Sequence, residues 1–200
     1  MGITNCINYA LEKLNVPTPD NLRWCIGPPL LDSFKKLLAG NENLSAQTAV
    51  DLYRERFSTQ GMFENQVYTG IEEMLQALRA EDYRLFIATS KPQVYSVKII
   101  EHFGLTKYFE SVYGSELDGT RTDKSDLIRH ILESEGISPT HTLMIGDRKY
   151  DLIGAKKNNV RPVGISWGYG DIFELESENP AAIFHHPQEL TGYLLSQQVL

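Results

Sequence analysis

The sequence predicts an α/β fold: a parallel sheet covered on both faces by helices and preceded by a small all-helical module. Three observations predict it. From Tyr68 onward, short apolar runs of strand length alternate with amphipathic stretches of helical period, the pattern of successive βα units. In parallel sheets both faces are buried, which suits strands that read as apolar runs. Before a change of texture near residues 61 to 70, apolar residues recur only at helical spacing, with no convincing β-run.

The elements follow in order. Ile3, Ile7, Ala10, Leu11 and Leu14 make a first helical stretch, stopped by Pro17 and Pro19. Gly27-Pro28-Pro29 forces a break, and Leu30, Leu31, Phe34, Leu37 and Leu38 begin a second. A third, about Ala46 to Phe57, ends in the turn signal Ser58-Thr59-Gln60-Gly61. Strands are then expected over 84–89, 111–113, 142–145, 161–165 and 182–184, with helices over 71–80, 93–103, 124–135, 151–158 and 187–195. In such sheets functional groups gather at the carboxyl ends of the strands, so the motifs are expected there. No repeat or low-complexity segment is present.

Composition narrows the partners. At 200 residues and 42% hydrophobic content the chain can bury a sizeable core, as one large domain or a core with an insert. A formal net charge of −7 with no Lys/Arg run argues against a nucleic-acid groove and for small substrates. No charged leader with an apolar centre and no apolar span of membrane length is found, so a reducing cytoplasm is expected, with Cys6 and Cys25 as buried thiols.

Three segments carry chemistry. Met144-Ile145-Gly146-Asp147-Arg148-Lys149-Tyr150-Asp151 follows an apolar strand and sets two carboxylates at its end. Mg²⁺ needs only one or two protein carboxylates plus substrate phosphate and water, so Asp147 reads as a direct ligand and Asp151 as a supporting one. The structural alternative is a turn at Asp147 and a helix cap at Asp151. Leu85-Phe86-Ile87-Ala88-Thr89-Ser90-Lys91-Pro92 is an apolar strand ending in two hydroxyls, which with free backbone N–H groups can hold phosphate oxygens, or can cap the next helix. Lys124 opens a helix, where its charge opposes the macrodipole; it either neutralises a phosphate or is a solvated surface charge.

In this order and at these spacings, the three segments closely resemble the second, third and fourth motifs of the haloacid dehalogenase superfamily. Ile26-Gly27-Pro28-Pro29-Leu30, Gly114-Ser115-Glu116-Leu117-Asp118-Gly119-Thr120-Arg121 and Gly164-Ile165-Ser166-Trp167-Gly168-Tyr169-Gly170 are similar to its phosphoglycolate-phosphatase-type members. The resemblance implies a Rossmann-like core over residues 67–200, a helical cap over 1–66, and a Mg²⁺-dependent phosphatase acting on a small phosphorylated metabolite. It also implies that Thr89 and the Ser90 backbone bind the phosphoryl group, Lys124 steadies the charge, and Asp147 ligates Mg²⁺ with Asp151 in support. Which phosphomonoester is hydrolysed does not follow.

The resemblance also implies a first motif, an apolar strand ending in Asp-x-Asp-x-Thr whose first aspartate is the nucleophile. No two aspartates of this chain are separated by one residue. Glu116-Leu117-Asp118-Gly119-Thr120 imitates the motif, but it lies just before Lys124 and a longer side chain would misplace the attacking oxygen. In relatives that strand lies mid-sheet, between those expected to end at Thr89 and Ile145. About 20 residues, one strand and a loop, are therefore expected to be missing. The chain is expected to be inactive as written, and unstable, oligomeric or rearranged. A non-catalytic phosphate-binding module and a phosphosugar mutase are the alternatives.

Four weaker features remain. Trp167-Gly168-Tyr169-Gly170 reads as a flexible loop that closes the site or as an ordinary turn. Arg148 either pairs with the core or reaches substrate. His185-His186 reads as surface, since adjacent residues on an extended chain point to opposite faces. Arg23 either meets a substrate carboxylate or is solvated.

Overall fold

A computed structural model describes residues 2–196. They form two compact units, one ending at Gln66 and the other beginning at Val67. None of the described helices is long and apolar enough to cross a membrane.

The first unit is helical: α1 (Gly2–Lys13), α2 (Leu30–Leu37) and α3 (Ala46–Phe57). The apolar stripe of α1, Cys6, Ile7, Ala10 and Leu11, is fully buried and packs on α3. Across that core Tyr53 stacks on Phe57 with centroids 5.2 Å apart and meets the edge of Phe34 at 6.4 Å. Ser45 caps α3, its Oγ accepting from the N–H groups of Gln47 and Thr48 at 3.2 and 3.5 Å. Behind α3 the chain turns at Gly61, where an added Cβ would run into the Cys6 sulfur. Arg56 then closes the unit with two hydrogen bonds to Glu64, at 2.9 and 2.7 Å.

The second unit alternates strand and helix: α4 (Ile71–Ala80), β1 (Phe86–Pro92), α5 (Gln93–His102), β2 (Ser111–Ser115), α6 (Lys124–Glu135), β3 (Leu143–Gly146), α7 (Lys149–Lys157), β4 (Arg161–Ile165), α8 (Ile172–Glu176), β5 (Ala182–Phe184) and α9 (Pro187–Ser196). Every strand pair is parallel. This is the expected α/β class, with every anticipated strand and helix present. The short α8 was not anticipated. β1 begins two residues later than expected and continues past Thr89 to Pro92, with a register shift between Ala88 and Pro92.

The strands form two sheets rather than one, β1-β2 and β3-β4-β5. Both lie on the same helices. Leu85 beside β1 and Leu143 and Ile145 of β3 pack against one core of Leu78, Leu190 and Leu194 from α4 and α9. On the other face α6 packs on β1 and β2, α7 on β3 and β4, and α6 on α7, tied by the Asn158 amide donating to the Ser125 carbonyl at 2.9 Å. Among the described residues no ladder joins β1 to β3. Phe86, Ile87, Leu143, Met144 and Ile145 are only half-buried, whereas Val163 of β4 is 0% exposed. Central strands of a covered parallel sheet are normally buried on both faces, and the gap between β1 and β3 lies where the resemblance implies a further strand.

Candidate functional site

One side chain links β1 to the helix that follows β3. Lys124, the first residue of α6, is only 8% exposed and lies inside the unit. Its Nζ donates to the Ala88 carbonyl of β1 at 2.8 Å and pairs with Asp151 Oδ1 at 2.9 Å. The N-terminus of α6 is capped by Asp123, which accepts from Ser125 and Asp126 N–H at 2.8 and 3.2 Å and so offsets the unfavourable lysine. Packing also fixes the lysine stem: a Cβ at Gly154 of α7 would sit 2.9 Å from Lys124 Cγ. A solvated surface lysine is thereby excluded.

Asp151 is the third residue of α7, because that helix begins at Lys149, two residues earlier than expected. Its side chain reaches back so that Oδ2 accepts from the Arg148 N–H at 3.2 Å, while Oδ1 faces Lys124. One oxygen thus caps the helix start, as the structural alternative has it, and the other pairs with Lys124. Gly146 makes this possible, since a Cβ there would overlap the Asp151 side chain.

Asp147 follows β3 directly and is half-buried. Its Oδ2 accepts from the Tyr169 N–H at 2.7 Å, and no described residue bonds Oδ1. The segment after β4 wraps this residue closely: a Cβ at Gly168 would collide with the carboxylate, and one at Gly170 with the Asp147 carbonyl. The Trp167–Gly170 loop therefore holds Asp147 instead of hanging free. Sequence reasoning missed this role, as it missed the Ala88 carbonyl and Glu174. The only sequence sign was two glycines, one residue apart, after a strand.

Thr89 and Ser90 sit one and two residues beyond the Ala88 carbonyl that Lys124 binds. Neither caps α5, whose N-terminal neighbour is Pro92. Thr89 Oγ1 accepts from the Lys91 N–H at 3.2 Å, which leaves the hydroxyl proton available. The Ser90 carbonyl accepts from buried Ser115 at 2.9 Å, fixing the peptide beside it.

Arg148 turns away to Glu174 of α8, donating from Nε at 2.9 Å, and the Lys149 N–H joins the same oxygen at 2.9 Å. Burial pushes the Glu174 carboxyl up, but these two donors outweigh it and hold it below the usual range. His185 and His186 are exposed, the His185 ring lying 2.8 Å from Ser166 Oγ. Arg23 is exposed too.

The donor set suits a hard divalent cation in part. Asp147 offers one uncommitted carboxylate oxygen, while both Asp151 oxygens are engaged, which favours Asp151 as a support to the ligand shell. No three His, Cys, Asp or Glu side chains among the described residues could hold an ion on their own, so phosphate and water would have to complete its shell.

A family model for haloacid dehalogenase-like hydrolases matches residues 1–165. The chain is 46% identical over 181 residues to a 5'-nucleotidase from Pseudomonas aeruginosa, covering 90% of this chain and 81% of that protein. It is 26% identical over 203 residues to a phosphoglycolate phosphatase from Psychrobacter arcticus, covering 96% of this chain and 88% of that one. A solved structure described as a predicted phosphatase from Clostridium acetobutylicum superposes with a TM-score of 0.89 at 41% identity, covering 98% of this chain and 91% of that one.

Proposed function

The chain belongs to the haloacid dehalogenase-like hydrolases, and from that premise we propose that it is the phosphate-binding and Mg²⁺-binding body of a phosphomonoester hydrolase of the phosphoglycolate phosphatase type. One observation carries the reading: the buried Lys124 ammonium spans from the Ala88 carbonyl at 2.8 Å to Asp151 at 2.9 Å, and so puts a fixed positive charge between β1 and the helix that follows β3. A buried cation held by one carboxylate and one carbonyl is poised to offset further negative charge, as phosphoryl transfer requires.

Each residue then has a task. The Thr89 hydroxyl and the Ser90 N–H hold non-bridging phosphate oxygens. Lys124 offsets charge on phosphate and nucleophile. Asp151 orients Lys124, and its bond to the Arg148 N–H keeps its own rotamer fixed. Asp147, held by the Tyr169 N–H, presents its second oxygen to Mg²⁺, which when bound would polarise the phosphoryl group. The attacking aspartate belongs to an Asp-x-Asp-x-Thr strand seated between β1 and β3, where both edges are unpaired among the described residues. Residues 1–66 act as a cap that selects substrate. The substrate is a small phosphorylated metabolite of the cytoplasm; phosphoglycolate, nucleotides and sugar phosphates all suit the site.

The test is a phosphate-release assay on two proteins. The 200-residue chain is expected to show no turnover. The same chain extended at its N-terminus by a strand ending in Asp-x-Asp-x-Thr is expected to release phosphate with Mg²⁺ and to lose that activity in Asp147→Ala. An extended protein without Mg²⁺-dependent turnover would overturn the reading. A non-catalytic phosphate-binding module is the second reading, to be preferred if the DNA upstream of Met1 encodes no Asp-x-Asp-x-Thr.

A further inference from the structure

Resting on that phosphate-site reading, we infer that Glu174 is a positioning residue of the same site: it holds the Arg148 guanidinium away from Asp147, which keeps the Asp147 carboxylate available to a metal ion. Arg148 directly follows Asp147 and so sets a permanent cation next to the proposed ligand. A guanidinium matches a carboxylate in shape and charge and pairs with it through two donors. Without another acceptor it would compete with Mg²⁺ for the Asp147 oxygen that no described residue bonds.

Arg148 is drawn to Glu174 instead. Its Nε donates to Glu174 Oε1 at 2.9 Å and its Nη2 lies 3.4 Å from Oε2, with the two side chains only 16% and 19% exposed. The arginine stem passes the loop that holds Asp147: a Cβ on Gly170 would strike the Asp147 carbonyl and lie 3.3 Å from Arg148 Cδ. Asp147 and Arg148 therefore border one point of that loop, and Glu174 takes the guanidinium.

Glu174 is held from its other side. The Lys149 N–H opens α7 and has no partner inside that helix; it donates to the same Oε1 at 2.9 Å. α8 places the carboxylate, with Asp171 accepting from the Phe173 N–H at 2.8 Å and Leu175 fully buried. Burial raises the Glu174 carboxyl, but the Arg148 guanidinium and the Lys149 N–H hold it below the usual range, so it meets Arg148 as an anion at neutral pH. A pair that only braced α8 against α7 would need both side chains at all times. A pair that guards Asp147 needs Glu174 only while Arg148 is present.

Mg²⁺ binding to the 200-residue chain in saturating inorganic phosphate, measured by calorimetry, separates the two roles. Glu174→Ala is expected to weaken Mg²⁺ binding about tenfold, within what a hydrogen bond between charged groups supplies. Arg148→Ala/Glu174→Ala is expected to return the affinity to within about twofold of the unaltered chain. If Glu174→Ala does not fold, Glu174→Gln carries the test, because it keeps the volume and a neutral acceptor; its loss should be smaller, in the same direction, and also reversed by Arg148→Ala. Undiminished affinity in the folded Glu174 variant would overturn the inference and leave the phosphate site standing. A double variant as weak as the single one would also overturn it, since Glu174 would then only brace the start of α7. An unaltered chain that binds no Mg²⁺ in phosphate would overturn the phosphate site and the inference together.

Discussion

Lys124 and Asp151 have side chains only 8% and 10% exposed and face each other at 2.9 Å, so each charge depends on the other to remain inside the protein. Removing one partner of a buried pair leaves an uncompensated charge, at a cost of about 3–5 kcal/mol, whereas replacing both by apolar groups is often neutral. Asp151→Leu is therefore expected to lower stability by about that amount, measured by urea unfolding. The double variant Lys124→Met/Asp151→Leu should recover most of it, yet should not bind phosphate. If it is no more stable than the single variant, the pair is not coupled as described. At Gly170 a methyl group would strike the Asp147 carbonyl, and Gly170→Ala is expected to lower stability by roughly 1–3 kcal/mol through overpacking and to weaken Mg²⁺ binding. Thermal denaturation with and without Mg²⁺ measures both. That Asp147, Asp151, Lys124 and Thr89 are singled out as candidates was legible in the sequence because a polar group in or after an apolar strand, or a lysine opening a helix, is locally anomalous. The work of Gly168 and Gly170 was not legible, because it depends on what the missing methyl groups would touch across the fold.

The elements themselves were legible wherever the apolar period ran long enough to fix them. α6 is an example: Leu127, Ile128 and Ile131 keep one face buried, Asp123 caps the start, and Gly136 ends the helix at φ 61. α8 escaped because five residues show no period; it is held by the Asp171 cap, 2.8 Å from Phe173 N, and by the Arg148–Glu174 pair. The start of α7 was placed too late because Lys149 and Tyr150 are not apolar core positions, and only the Asp151 side chain turning back to the Arg148 N–H marks that end. In the helical unit, hydrogen bonds from Arg56 and then Asn5 pull the Glu64 carboxyl down from 4.5 to about 2. A carboxylate with a depressed folded-state pKa stabilises fully above its unfolded value, and the contribution fades as pH falls through the folded one. Unfolding of residues 1–66 should therefore become easier between about pH 4.5 and 2. Glu64→Gln should flatten that part of the curve when melting is followed across this range.

For the α/β unit as a whole, the interruption between β1 and β3 is the decisive feature. Its position could be anticipated only from the resemblance, since nothing local to β1 or β3 says which neighbour each strand lacks. Unpaired strand edges carry N–H and C=O groups that in a complete sheet would bond to a strand between them. Backbone amides along 86–91 and 143–146 facing the interruption are expected to exchange quickly with solvent in the 200-residue chain. They should be protected once an apolar strand ending in Asp-x-Asp-x-Thr is added; unchanged exchange would mean that no strand seats there. In the proposed site Thr89, Ser90, Lys124 and Asp147 serve one phosphate and its metal. A crystal structure of the chain grown with Mg²⁺ and tungstate, a phosphate mimic visible by its anomalous signal, tests this most directly. The tungstate oxygens are expected on Thr89 Oγ1, the Ser90 N–H and Lys124 Nζ, with the metal on the free Asp147 oxygen. Tungstate bound away from those groups, with Asp147 bare, would contradict it.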